Sequence, residues 1–174
     1  MMSGQHHTEK EFVKHGGLFS LTPHFTLVPE QLYREEDNDL WLNFLREHIP
    51  HNQHITAEAI PLYGCVCLYE ADEQNRQHAV CHLLELSEQI ADVSFAMAYL
   101  TEQSMVWIAV KNKQLQHAMV YDIASSTDML YYMLNALTQL DFQIGTPVYL
   151  YGEYPADWLS LLKEYLIIIT ANRL

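Results

Sequence analysis

Residues 104–174 switch between strand and helix periodicity in a fixed order, and that order constrains the fold more than any other feature of the chain. Met105 to Val110 is an unbroken apolar run of strand length. Lys111-Asn112-Lys113 is a polar turn and Gln114 to Tyr121 has strand character again, so the two predict a hairpin. Ser126 or Thr127 then caps a helix with Leu130, Met133, Leu134 and Leu137 on one face. Asp141 to Thr146 is a turn containing Gly145, and Pro147 to Tyr151 is a strand ending at Gly152. Pro155 to Tyr165 is a helix, and Leu166 to Thr170 a last strand. A strand–helix–strand unit needs a crossover, so part of the sheet is expected to be parallel and covered by helices. The fold class is α/β, with a mixed sheet.

The first half is less regular. Residues 1–11 are polar and read as a disordered lead-in. Phe12 to Leu21 has strand character around a turn or bulge at Gly16-Gly17. Phe25 to Val28 is a short apolar piece, and Pro29 is placed to open a helix. Leu40, Trp41, Phe44 and Leu45 carry that helix to about Glu47. Tyr63 to Tyr69 is apolar on both faces, as in a central strand. Asp72 is the expected cap of a helix bearing Val80, Leu83, Leu84 and Leu86. Residues 90–100 fit two periods, and the reading adopted is a short strand followed by a helix through about Leu100. The chain thus divides into a lead-in at 1–11, a first α/β segment at 12–103 and a β-β-α-β-α-β segment at 104–174.

Composition bounds the function. Apolar residues make up 49% of the 174, enough for a substantial core, and charged residues only 18%. The formal net charge of −13 opposes nucleic-acid phosphates and anionic membranes, so neither is an expected partner. No apolar run approaches the roughly 20 residues of a membrane helix. Met1 to Lys10 lacks the apolar centre of a signal peptide, and a cytoplasmic location is expected. Cys65, Cys67 and Cys81 form an odd set best read as free thiols.

Candidate sites are few. His48, His51 and His54 are three apart around Pro50, and His78, Cys81 and His82 have the spacing of one helix face. Imidazole and thiolate are zinc ligands, so these histidines are the candidate metal ligands, although nothing in sequence completes either set. The alternative is a loop with solvated histidines, and a helix face with a buried cysteine. Cys65-x-Cys67 lacks the two-residue spacer of a redox pair. No G-x-S-x-G, G-x-x-x-x-G-K-[ST] or G-x-G-x-x-G occurs. The acidic run Glu35, Glu36, Asp37 and Asp39 suits a solvated helix start. Tyr131, Tyr132, Tyr149, Tyr151 and Tyr154 suit an interface and a core equally.

Three stretches carry a family resemblance: Phe25-Thr26-Leu27-Val28-Pro29 with Leu32-Tyr33; Tyr121 to Leu140, containing Asp128-Met129-Leu130-Tyr131-Tyr132; and Pro147-Val148-Tyr149-Leu150-Tyr151-Gly152-Glu153. From about Phe12 onward the chain resembles domain of unknown function 3822, a family of Bacteroides-type bacteria. The resemblance implies an actin-like ATPase fold built on ribonuclease-H-like sheets. It also implies a first lobe that is incomplete here, since members carry a further N-terminal segment. Active proteins of that superfamily place Asp and Gly in each hairpin turn to hold Mg²⁺ and phosphates, and a Gly-Gly pair after the later strand. Met105 to Asn112 contains no Asp-x-Gly, and the later position reads Tyr151-Gly152-Glu153-Tyr154.

The resulting expectation is a non-catalytic binding or scaffold module, without cofactor, that forms a homodimer or binds another protein. One alternative is a nucleotide- or sugar-binding enzyme with a site near Gly152 and Glu153. A second is a metal-binding domain using its histidines. The cysteine reading is directly testable: in the folded protein all three thiols should be reduced, with Cys65 and Cys67 slow to react with a thiol reagent. Rapid labelling of both without denaturant would place their strand at an edge.

Overall fold

The computed structural model describes residues 18–43, 54–71 and 73–170. Two sheets share these residues. The smaller has the order β1-β3-β2, with β1 at Phe25–Pro29, β2 at Ile55–Ile60 and β3 at Cys65–Glu70, all antiparallel. The larger contains β4 (Phe95–Leu100), β5 (Ser104–Lys111), β6 (Gln114–Asp122), β7 (Pro147–Gly152) and β8 (Ile167–Thr170). Their spatial order is β6-β5-β4-β7-β8. β4 pairs antiparallel with β5 and parallel with β7, and β8 continues the parallel side. Helix α3 (Ser126–Gln139) leads from β6 to β7, and α4 (Ala156–Tyr165) from β7 to β8. Both pack on one face of the large sheet. The mixed sheet and its crossover helices follow the order legible in the sequence.

The strand β4 corrects the reading of residues 90–100, which contain no α-helix: Phe95–Leu100 is a strand buried along its whole length. Its alanines suggest a helix, but they serve a packing purpose. Ala96 and Ala98 face the α3 and α4 side, while Phe95, Met97 and Tyr99 face the other. Ala98 stands opposite Trp107 on β5, and the small residue leaves room for an indole that is wholly buried. The division expected at 103/104 falls in the turn between β4 and β5, inside one sheet.

The other face of the large sheet is covered by α2 (Ala79–Leu86), which lies between the two sheets. Ala79, Val80, Cys81, Leu83 and Leu84 are all buried, as a helix covered on both sides requires. Cys65 and Cys67 lie on β3, the centre strand of the small sheet, and all three cysteines are free and buried, as expected. The cap of α2 is His78, not Asp72, which lies outside the described residues.

Two further expectations are revised. The segment after Pro29 forms two 3-10 turns, Glu30–Leu32 and Glu35–Asp37, before the short helix α1 at Asn38–Asn43. The remainder of the helix expected to reach Glu47 lies outside the described residues, as do the lead-in and Phe12 to Gly17. In α3 the innermost side chains are Met129, Leu130, Met133 and Ala136, while Leu134 and Leu137 pack at the margin. The helix is turned by about one residue from the reading above. Its start is capped by Ser125, whose Oγ accepts the Asp128 N–H at 3.1 Å. Its end is held by Lys111, whose Nζ donates to the carbonyls of Leu140 (3.0 Å) and Asp141 (2.6 Å). A cation there satisfies carbonyls that the helix leaves unpaired.

This orientation of α3 predicts that Met133→Ala costs about 2–5 kcal/mol, and that Leu134→Ala costs less. Urea unfolding midpoints of the two variants measure it. The reverse ranking would mean that α3 presents a different face.

Candidate functional site

In sheets with parallel strands, ligands collect outside the strands' carboxyl ends. In this chain that end is formed by Leu100 of β4, Gly152 of β7, the β4–β5 turn at residues 101–103 and the end of β6. A crevice of about 700 Å³ opens there, lined by Glu102, Ser104, Asp122, Asp128 and Tyr132 among others. Glu102 and Asp122 are exposed. Asp128 is partly engaged, because one carboxylate oxygen accepts the Ala124 N–H at 3.2 Å. Among the described residues no Lys, Arg or Gly lines the crevice.

Gly152 has φ +91°, a conformation suited to glycine. A Cβ there would stand 2.2 Å from the Leu100 carbonyl oxygen, and the Glu153 N–H donates to that oxygen at 3.1 Å. The glycine therefore lets β7 lie close against the end of β4. Its close approach is to the chain's own backbone, and Glu153 projects from an exposed position beside it. Neither hairpin turn of the large sheet contains glycine: the first reads Thr101-Glu102-Gln103 and the second Asn112-Lys113.

The candidate metal ligands do not converge. His78 is wholly buried and both ring nitrogens are engaged. Nδ1 accepts the Val80 N–H at 3.2 Å, which fixes the proton on Nε2, and Nε2 donates to the Thr22 carbonyl at 2.9 Å. Burial holds its pKa down at about 4. His82 stacks on Phe19 with ring centres 4.2 Å apart, and burial lowers its pKa too. Cys81 is hydrogen-bonded to Cys67, which with burial raises its pKa, and burial pushes Cys65 up to about 11. Thiols so raised are poor nucleophiles at neutral pH. His54 is exposed, and His48 and His51 lie outside the described residues. Among the described residues no group of three His, Cys, Asp or Glu side chains is placed to hold a metal ion.

The tyrosines divide between surface and core. Tyr151 is buried, while Tyr149 is half-buried and donates to Asp92 at 2.6 Å. Tyr131 is exposed, and Tyr132 stacks on Tyr121 of β6 with centres 4.6 Å apart. Tyr121 in turn hydrogen-bonds His117 at 3.0 Å. An aromatic strip thus runs from β6 onto α3 beside the acidic crevice. Sequence reasoning passed over Glu102 and Asp122. The one local signal was Ser125-x-x-Asp128, a capping pattern that marks the helix start but not its neighbours. A second recess, about 540 Å³, lies between the first half of β6 and the small sheet, lined by Leu27, Leu62, Tyr63 and Leu115 among others.

The buried neutral His78 predicts a pH effect. Its folded pKa lies below the ordinary 6.5, so the unfolded chain binds the proton more readily. The stability it contributes is full above pH 6.5 and is lost as the pH falls through about 4. The loss is on the order of 3 kcal/mol at about 1.4 kcal/mol per tenfold change. His78→Asn keeps a capping acceptor without a titrating ring. Urea unfolding across this range should show the native chain losing more stability than the variant, and parallel losses would exclude His78 as the cause.

No curated protein matches the chain. Among solved structures it is similar to a protein of Bacteroides thetaiotaomicron VPI-5482 with an actin-like ATPase fold and unknown function, at a TM-score of 0.68 and 16% identity. The likeness covers 85% of this chain and 65% of that one, so the chain spans about two-thirds of the other's length. At that identity the likeness establishes the fold alone. Among the described residues no helix is long and apolar enough to cross a membrane. The family described as protein of unknown function (DUF3822) matches residues 18–168, and the chain belongs to it.

Proposed function

We propose that this chain is a non-catalytic member of the actin-like fold and works by binding another protein or a second copy of itself. The observation that carries this reading is the crevice at the β4–β5 turn, the end of β6 and the start of α3. In that fold, nucleotide phosphates would meet the hairpin turns and the later glycines. In this chain the crevice presents Glu102 and Asp122, and among the described residues no cation or glycine lines it. Carboxylates placed beside a polyphosphate raise its energy instead of lowering it. The one glycine near, Gly152, is taken up by packing against Leu100. A nucleotide- or sugar-binding enzyme centred on Gly152 and Glu153 gains no support from this geometry, and neither does a histidine metal site.

The aromatic strip and the exposed apolar side chains support the binding half of the reading. Tyr131 is 62% exposed, Met119 42% and Ile144 fully so. Tyrosine and methionine are suited to protein contacts. Thermal unfolding with and without millimolar Mg-ATP tests the non-catalytic half. A ligand at a hundredfold excess over its Kd stabilises by about 2.7 kcal/mol, a shift of several degrees. No shift is expected, and a Mg-dependent rise of that size overturns the reading. Sedimentation tests the other half, since a lone monomer that associates with nothing would remove it.

A further inference from the structure

We propose that the free edge of β6 is the docking strand of this module, and that it takes an extended, basic segment of a partner protein as an added strand. This rests on the protein-binding reading above and names the surface and the occupant. β6 is nine residues long, whereas the opposite edge strand, β8, has four. Among the described residues no strand pairs with its outer side. A long edge of that kind offers a row of backbone donors and acceptors to another chain. Proteins usually blunt such edges with lysine, proline or shortness, and Gln114–Asp122 contains neither lysine nor proline. Its one irregularity is a register shift opposite Ala109/Val110, near its start, and pairing is regular from His117 onward.

The two recesses lie at the two ends of this edge. The recess beside the small sheet flanks Leu115, on the side of the sheet that faces α2, with Leu62 and Tyr63 and the polar Lys113, Gln114 and His117 in its lining. The acidic crevice flanks Asp122, beside Tyr132 on the α3 side. A strand laid along β6 would therefore send side chains into both. Successive side chains alternate faces, so the two anchors lie an odd number of residues apart. Leu115 and Asp122 stand seven residues apart on β6, a span of about 24 Å at roughly 3.4 Å each.

Charge selects the occupant. Glu102, Asp122 and Asp128 line one crevice with Tyr132, whose ring stacks on Tyr121, and a guanidinium placed there has carboxylates and an aromatic ring as neighbours. The chain's net charge of −13 attracts a basic partner at long range and repels a second copy of itself.

The test uses the full chain and a fluorescein-labelled, end-blocked ten-residue peptide of alternating Val and Thr, with Leu and Arg placed seven residues apart. One control carries Glu in place of Arg, and another carries N-methyl groups on alternate amides. Anisotropy titration should give saturable binding of the Arg peptide, about tenfold or more weaker binding of the Glu peptide, and none of the N-methylated one. Glu102→Gln combined with Asp122→Asn should weaken the Arg peptide by at least about tenfold and leave the Glu peptide no weaker. Met119→Lys, on the exposed edge, should weaken both. Equal affinity for the Arg and Glu peptides, indifference to N-methylation, or no binding overturns the proposal. A dimer of the pure protein that Met119→Lys dissociates gives the edge to a second copy and also overturns it. An association that survives Met119→Lys and both crevice changes overturns this site but keeps the protein-binding reading, whereas Mg-ATP binding by a monomer removes that reading itself.

Discussion

The structure depends first on a neutral imidazole at the start of α2. An eight-residue helix is too short to hold itself, so its stability must come from what surrounds it. The surroundings are two sheets, and their joint burial of α2 fixes β3 against β4 and β5. A helix start buried that deeply must have its free N–H groups satisfied, and His78 does so through Nδ1 while its other nitrogen reaches Thr22. Ser20 adds backbone bonds to Gln77 and Ala79, so the segment before β1 is tied to the same point. The Glu58 carboxylate favours a charged imidazole there, but the cost of burial outweighs it and keeps the ring neutral.

That arrangement determines where surfaces are left open. With α2 filling one face of the large sheet and α3 and α4 the other, what remains are the edges and the carboxyl ends of the strands. At the carboxyl ends the β7 backbone packs on Leu100 at Gly152, and the crevice at the end of β6 is lined by Glu102 and Asp122. The β6 edge is left with a recess of mixed character at one end and negative charge at the other. Packing and ligand chemistry ask different things of the same turns, so the fold alone does not fix what those turns bind.

The sequence by itself determined the order β5-β6-α3-β7-α4-β8. Periodicity is local, and the turns at Asn112-Lys113 and Gly145 are local too, although the cap of α3 is Ser125 and not the expected Ser126 or Thr127. It also determined that Cys65 and Cys67 are buried, because a strand apolar on both faces has no other place than a sheet centre. Tertiary structure decided the rest. Part of β4 reads as a helix because Ala91, Phe95, Ala98 and Tyr99 recur at helical spacing, and only Trp107 on the neighbouring strand explains why a strand needs the small Ala98 there. Three residues with metal-ligand spacing, His78, Cys81 and His82, were separated by capping, thiol contact and ring stacking with partners distant in sequence. Glu102, Asp122 and Asp128 belong to three different elements, and no local pattern joins them. Side-chain periodicity is a property of one element, whereas a site is a property of several brought together, and only the packing of the sheets around α2 brings these together.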